Sequence, residues 1–114
     1  MMDMRNRPRK NTPHSVKAVD EENGRAIGRI VDITCDGMMV VADTPKTPGH
    51  RLNIRIHLPG MVQNRSEMIL MAETVWCNQD QNPRFFRIGF KFVNVSGEEG
   101  YLLEEVLHRF SLVG

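Results

Sequence analysis

Two short groups of residues near the start of the chain contain side chains that could bind an anionic ligand. Arg5 and Arg9 are separated by three residues, and Asp32, Thr34 and Gly37 follow further along. A guanidinium group binds phosphate through parallel hydrogen bonds, and a carboxylate accepts hydrogen bonds from N–H groups. Each group alone has an ordinary explanation, since basic arms are often solvated and Asp-x-Thr-x-x-Gly is typical of a turn. Together they predict a site if the fold makes them neighbours.

A hairpin between the two groups would make them neighbours. Asn23-Gly24 is a strong signal for a two-residue hairpin loop, because both central residues of that loop need a positive φ. Such a loop pairs Asp32 with Ser15, and Arg9 lies six residues before Ser15. Since an extended residue spans roughly 3.3 Å, Arg9 lies within about 20 Å of Asp32. We therefore expect the basic arm to emerge beside Asp32.

The remaining pattern predicts an all-β domain. Short apolar segments alternate with turn signals, and the connections are short enough for antiparallel neighbours. The alternation is clearest over residues 51–58, where every second residue is apolar. The predicted strands cover residues 15–20, 25–34, 37–42, 51–58, 67–77 and 84–93, with breaks at 44–49, at Pro59-Gly60 and at 79–83.

The hydrophobic period changes from that of a strand to that of a helix near the C-terminus. Ser96 and Glu99 have the spacing of a capping box. Apolar residues then follow at helical spacing, at Leu103, Val106, Leu107 and Phe110. We expect a helix over about residues 96–111 that packs on a six-stranded antiparallel barrel. The predicted organisation is a flexible basic arm over residues 1–13 and one barrel domain over residues 14–114.

Composition narrows the class of protein. The chain has 114 residues, 40% hydrophobic and 25% charged, with a formal net charge of +1. These values are typical of one globular domain and give no overall field for nucleic acid or membranes. Two cysteines form no disulfide framework, and neither a secretory signal nor a membrane span is evident. We expect a cytoplasmic protein that neither inserts into a membrane nor binds a nucleic-acid polymer.

The motif pair resembles that of the PilZ domains, bacterial receptors for cyclic diguanylate (c-di-GMP). That family has R-x-x-x-R on an N-terminal arm and [DN]-x-S-x-x-G between early barrel strands. Here 22 residues separate Arg9 from Asp32, which suits the family spacing. Val75-Trp76, the run Arg87–Phe92 and the terminal amphipathic helix also resemble a PilZ domain, so the resemblance covers nearly the whole chain.

The resemblance implies a ligand and a role for each motif residue. Arg5 and Arg9 would bind the phosphates or the guanine edges of c-di-GMP, or stack on a base. Asp32 would accept hydrogen bonds from guanine N–H groups, and Thr34 would offer its hydroxyl to a phosphate or to nearby backbone. Gly37 would let the backbone turn sharply without a side chain in the site.

Several residues vary from the motif or adjoin it. Thr34 replaces the usual serine, and its added methyl group stiffens the side chain and takes space. Pro8 lies inside the arginine motif and biases its neighbour toward an extended backbone. Four residues are secondary candidates for ligand contact: Arg7, Lys10, Cys35 and Trp76. The ordinary interpretation of the last two is a free thiol and a core or half-core indole.

No pattern in the sequence predicts catalysis. The four histidines lack metal-ligand spacing, and neither a nucleophile–base pattern nor a phosphate-binding loop occurs. We therefore expect a protein without enzymatic activity, metal or cofactor. The resemblance implies a c-di-GMP receptor that signals through a protein partner in motility, adhesion or biofilm control. The first alternative is a PilZ-like adaptor that does not bind c-di-GMP. The second is a basic-armed barrel for single-stranded nucleic acid, although aromatic residues suited to base stacking are few.

Overall fold

The structure, a computed structural model, describes residues 16–110. Its elements in chain order are β1 Lys17–Asp20, β2 Ala26–Ile33, β3 Gly37–Ala42, β4 Arg51–Val62, β5 Arg65–Gln79, β6 Phe86–Phe92 and α1 Gly97–Phe110. The strands pair antiparallel and close into a barrel in the order β1-β2-β3-β6-β5-β4. The predicted fold class, a six-stranded antiparallel barrel with one C-terminal helix, is confirmed.

The core fills the barrel with branched aliphatic side chains. Along β4, Leu52, Ile54 and Ile56 are buried, because alternate residues of a strand share one face. Val40 of β3 and Ile88 of β6 lie equally deep and fully buried. Truncating one such residue to alanine typically costs about 2–5 kcal/mol of stability.

The β1–β2 turn is longer than the two-residue loop predicted from the sequence. Gly24 has a φ of 73°, but Asn23 is not among the described residues with positive φ. Instead the Asn23 side-chain oxygen accepts a hydrogen bond from the Arg25 N–H at 2.8 Å, an Asx-type turn that spreads the loop over residues 21–25. The predicted register is therefore wrong by one residue, and Arg29 pairs with Lys17.

The β4–β5 hairpin extends beyond the predicted break at Pro59-Gly60. β4 continues to Val62, and the pairing shifts between His57 and Val62, where a proline without an N–H can be accommodated. The turn lies at Gln63 and Asn64, which have φ values of 52° and 62°. Proline interrupts the ladder here without ending the strand.

Helix α1 covers the end of the barrel at which β2 ends and β3 begins. Ser96 Oγ donates a hydrogen bond to Glu99 Oε1 at 3.0 Å, so the two capping-box residues are in contact. Leu102, Leu103 and Val106 are buried, whereas Leu107 and Phe110 are half-buried. The Phe110 ring lies against Gly60 and so fixes the helix on the long β4–β5 hairpin.

Candidate functional site

The loop between β2 and β3 contains Asp-x-Thr-x-x-Gly in a tight turn. The Thr34 N–H donates to the Gly37 carbonyl at 2.8 Å, and Thr34 Oγ1 accepts from the Asp36 N–H at 3.1 Å. The Phe92 N–H donates to the Asp36 carbonyl at 2.8 Å and ties the loop to β6. The Thr34 hydroxyl therefore has a structural bond as acceptor, while its own proton can still be donated outward.

Gly37 is required by close packing. It pairs with Lys91 of β6, and a Cβ atom at this position would overlap the Phe90 carbonyl oxygen. Gly37 is not among the described glycines with positive φ, which are Gly24 and Gly49. The structural reason for glycine here is therefore the close approach of two backbones and not a positive φ.

A β-bulge in β2 turns Asp32 toward the outside of the barrel. Ile30 and Asp32 pair with consecutive residues of β3, which leaves Val31 as an extra residue. Without the bulge, Asp32 would follow Ile30 into the core, since alternate residues share a face. With it, Ile33 is buried at 1% exposure and Asp32 lies half-buried on the outer surface.

A second β-bulge, in β5, has the same effect on Trp76. Thr74 and Trp76 pair with consecutive residues of β6, which makes Val75 the extra residue. Thr74 is buried and Cys77 takes the next inward position, whereas Trp76 is 37% exposed. Of the two ordinary interpretations, core and half-core, the structure excludes only the first, because Trp76 is a partly exposed residue of the outer surface.

The two bulges lie in the same row of the sheet. Asp32 pairs with Met39, Met39 with Gly89, and Gly89 with Trp76. The indole lies directly over Gly89, where any Cβ atom would overlap its Nε1 and Cε2 atoms. We call the outer surface formed by Asp32, Met39, Gly89 and Trp76 the motif face; it combines a carboxylate with a flat aromatic surface.

Basic residues surround the motif face. Arg29 and Arg87 lie in the next outward-facing row on one side of it. Lys91, which pairs with Gly37, lies in the next outward-facing row on the other side. Arg87 Nε donates to Asp80 Oδ1 at 2.8 Å. That bond, helped by the backbone N–H groups of Asn82 and Gln81, lowers the pKa of the Asp80 carboxyl below its ordinary value of 3.8.

The outer surface of β4 and the first part of β5 has a different charge pattern. Arg51 Nε lies 2.9 Å from Glu73 Oε1, and Arg55 forms ion pairs with both Glu21 and Glu67. We call the surface formed by Arg51, Arg55, Glu67 and Glu73 the paired face. Each arginine there has a carboxylate beside it.

The two cysteines lie at different places in the barrel. Cys35 is exposed in the motif loop and Cys77 is half-buried, and both thiols are free. Cys77 borders an open cavity of about 370 Å³ at the opposite end of the barrel, together with the Pro45–Pro48 loop, Gln79 and Phe86. This cavity includes none of the predicted ligand residues. Within residues 16–110, no cluster of His, Cys, Asp and Glu could hold a metal ion.

The basic arm lies outside the described residues. Arg5, Arg7, Arg9 and Lys10 all precede Val16, so their predicted ligand contacts remain predictions. The flexible-arm boundary at residue 13 also lies there. Sequence reasoning missed Met39, Gly89 and Arg29 as neighbours of the site. The signal for Gly89 was a glycine between alternating apolar residues in a strand, which often marks a close approach by another group.

These features define a closed antiparallel barrel with a turn motif between its second and third strands and a helix at the same end. Comparison with protein families places the chain more narrowly. The family model for the PilZ domain matches residues 3–111, and the chain belongs to the PilZ domain family. A search among curated proteins gave no match.

Solved structures agree on the fold. The PilZ domain of YcgR from Escherichia coli, solved with c-di-GMP, is 20% identical, with a TM-score of 0.59, over 96% of this chain and 92% of that one. The Bacillus subtilis inhibitor of motility MotI/DgrA is 21% identical, with a TM-score of 0.57. That match covers 83% of this chain and 45% of the other, so this chain spans less than half of MotI.

Proposed function

We propose that this protein is a receptor for c-di-GMP that changes conformation on binding and signals through a protein partner. Membership of the PilZ family supports the ligand class. The observation that carries the proposal is the row of the motif face, in which two bulges turn Asp32 and Trp76 outward beside the Thr34–Gly37 loop. Bulges next to binding sites commonly redirect a side chain in this way.

The motif face suits a guanine base. A carboxylate at Asp32 can accept hydrogen bonds from the N–H groups of the guanine edge, and the Trp76 indole offers a flat surface for stacking. Base–aromatic stacking contributes about 1–3 kcal/mol per base. The Thr34 hydroxyl can donate its proton to a phosphate oxygen, because its bond to the Asp36 N–H uses only a lone pair.

The arginine motif completes the proposed site. β1 is antiparallel to β2, so β1 begins on the side of the barrel toward which β2 runs to the motif loop; its first residue, Lys17, pairs with Arg29 in the middle of β2. Arg9 precedes Val16 by seven residues, a reach of at most about 25 Å. We propose that Arg5 and Arg9, helped by Arg7 and Lys10, close over the ligand phosphates. Ordering of this segment would be the conformational signal.

An adaptor that does not bind c-di-GMP is the second candidate. The observation in its favour is Thr34, which stands where the family pattern has serine and already accepts the Asp36 N–H. A methyl group beside the loop could hinder ligand approach, and the protein would then act through protein contacts alone.

The wider role is also a proposal. We infer a regulatory, non-enzymatic protein, because PilZ domains act as receptors. The name of its structural relative MotI, an inhibitor of motility, favours a role in motility over adhesion or biofilm control. A cytoplasmic location remains a prediction. Within residues 16–110, no helix is long and apolar enough to cross a membrane.

Calorimetric titration with c-di-GMP, with linear GMP and cyclic AMP as controls, tests the proposal. We expect saturable binding of c-di-GMP alone. Arg9→Ala and Asp32→Ala should each weaken it at least tenfold, since a charge-assisted hydrogen bond contributes about 1.5–3 kcal/mol and 1.4 kcal/mol is tenfold. Asp43→Ala, an exposed carboxylate at the other end of the barrel, is the matched control for Asp32.

The thermal midpoint of each free variant separates binding from folding. Arg9→Ala should leave it unchanged, because the predicted arm does not support the core. An absence of heat with the wild-type protein at high c-di-GMP concentration would reject the receptor proposal and favour the adaptor. If Thr34→Ser then restored binding, the threonine methyl group would be identified as the obstacle.

A further inference from the structure

Three basic side chains form a row across the outer surface of the barrel. Lys17 pairs with Arg29, Arg29 with Val41, and Val41 with Arg87. Lys17, Arg29 and Arg87 are all exposed. We call Lys17, Arg29 and Arg87 the basic row; it crosses β1, β2, β3 and β6 next to the row that contains Asp32.

The pair at the start of the basic row is unfavourable in the free protein. Lys17 and Arg29 lie directly opposite each other on adjacent antiparallel strands, where side chains leave the backbone about 5 Å apart. Like charges in that arrangement destabilise a sheet. Within the described part of the chain, neither side chain has an ion-pair partner. An anion bound between them would remove the repulsion.

On the paired face, by contrast, the outward-facing arginines have carboxylate partners. Arg55, at an equivalent outward position on β4, contacts carboxylates of both Glu21 and Glu67. Arg51 is similarly paired with Glu73. The uncompensated pair includes Arg29, which lies on the same strand as Asp32 of the motif face.

The position of the pair relative to Asp32 suggests the anion. Arg29 precedes Asp32 by three residues on the same strand, about 10 Å at the rise of an extended chain, and both point outward. A nucleotide with its base edge at Asp32 would have a phosphate within reach of Arg29. Guanidinium and ammonium groups both bind phosphate oxygens through short charge-assisted hydrogen bonds.

We propose that Arg29, supported by Lys17, binds a phosphate of the cyclic dinucleotide and extends the ligand site beyond the two family motifs. This inference rests on the proposed receptor function. It assigns ligand contact to residues outside both motifs. It also explains the like-charge pair: the pair destabilises the free barrel, and bound ligand would remove that destabilisation. Sites that bind ligands commonly carry such a stability cost.

Titration of Arg29→Gln and Lys17→Gln with c-di-GMP, at about 0.05 M and 0.5 M salt, tests the inference, with Arg84→Gln as the matched control. Arg84 is exposed at the far end of the barrel. We expect about five- to tenfold weaker binding for Arg29→Gln, about threefold for Lys17→Gln and no change for the control. Both losses should shrink at the higher salt, where screening weakens attraction between exposed charges.

The stability of the free variants provides a readout independent of ligand. Removing either charge relieves the repulsion, so the thermal midpoint should stay constant or rise while affinity falls. A lower midpoint for Arg29→Gln would indicate a structural role and overturn the inference.

Two further outcomes separate this inference from the proposed function. Equal affinity of the wild type and Arg29→Gln for c-di-GMP would overturn the inference and leave the receptor function standing. Failure of the wild type to bind would overturn both. A single-stranded oligonucleotide serves as the alternative anion: if Arg29→Gln weakened its binding but not that of c-di-GMP, the basic row would serve a nucleic acid and the inference would be wrong.

Discussion

The motif face and the paired face are both formed by antiparallel strands. They differ in how regular the strand pairing is and in whether nearby charged side chains have partners of opposite charge. On the paired face, β4 and β5 keep their register from Arg51 to His57, and both arginines have carboxylate partners. At the motif face, β2 and β5 each contain a bulge, and in the neighbouring basic row Lys17 lies opposite Arg29. The paired face thus has regular strand pairing and compensated arginines, whereas the motif face and the basic row have bulges and a like-charge pair.

Such a difference is expected where a surface has a function besides folding. Natural sequences tend to violate local rules at functional sites and to compensate for the violation elsewhere. Here the compensation lies in the core, because each bulge that turns a polar or aromatic residue outward also directs a neighbour inward, Ile33 in β2 and Cys77 in β5. Each bulge thus exposes one side chain while the next residue returns to the inward face.

The most severe test of the comparison is Gly37→Ala. The added Cβ atom would overlap the Phe90 carbonyl oxygen, and two paired strands would have to move apart at the motif loop. Overpacking of this kind costs about 1–3 kcal/mol, which corresponds to a fall in thermal midpoint of roughly 4–8 °C per kcal/mol for a domain of this size. Thermal unfolding monitored by circular dichroism measures it.

Gly97→Ala is the matched control for Gly37→Ala. A Cβ atom at Gly97 would meet no atom within 4 Å, and alanine favours the helix. Its stability should stay constant or rise. If Gly37→Ala were as stable as Gly97→Ala, close packing would not be the reason for glycine in the loop.

Most of the fold could be predicted from the sequence, because the hydrophobic patterns that indicate strands and a helix are local and repeated. Alternation over residues 51–58 and helical spacing after Ser96 each follow from one element's need to bury one face. The errors arose where a side chain or a single extra residue changed the backbone. Asn23 used its side chain to form an Asx-type turn, and β4 continued through Pro59.

The site was less predictable than the fold. The motif residues could be chosen by type, but the direction of Trp76 depends on the extra residue Val75. A bulge reverses which side chains face outward, and the sequence shows no mark that distinguishes Val75 from other apolar strand residues. Because the pairing of Lys17 with Arg29 depends on the turn, a one-residue error in register concealed it as well.

Trp76→Ala tests whether the motif face binds a guanine base by stacking. If a guanine stacks on the indole, the loss should weaken c-di-GMP binding by about fivefold or more, since stacking contributes about 1–3 kcal/mol. Trp76 is the only tryptophan in the chain, so its fluorescence should change on titration of the wild type with ligand. Tyr101→Ala, 72% exposed on the helix, is the control and should bind normally.

An unchanged emission spectrum at saturating ligand, together with normal affinity of Trp76→Ala, would show that the indole covers Gly89 for packing alone. The motif face would then consist of Asp32 and the loop, without an aromatic platform.

A change on the paired face should have a smaller effect and one confined to stability. Glu73→Gln removes the exposed ion pair with Arg51, and such pairs contribute about 0–1 kcal/mol. Urea denaturation should therefore show a loss below about 1 kcal/mol, while affinity for c-di-GMP stays as in the wild type. A clear loss of affinity would mean that the two faces do not divide folding from binding as described.

The smallest expected effect concerns Asp80, the carboxylate that pairs with Arg87 of the basic row. Its pKa is lowered in the folded protein, so its contribution to stability is present above its ordinary value of 3.8 and is lost as the pH falls through the lower folded value. Asp80→Asn should flatten the acid side of the stability profile below about pH 4, measured as thermal midpoint against pH.

At neutral pH the same change frees Arg87 from its carboxylate, so binding of c-di-GMP should strengthen by up to about twofold if the basic row attracts the ligand. Weaker binding by Asp80→Asn would mean that the ion pair holds Arg87 in place for the ligand, and the contrast between a neutralised and an uncompensated face would then apply to Lys17 and Arg29 alone.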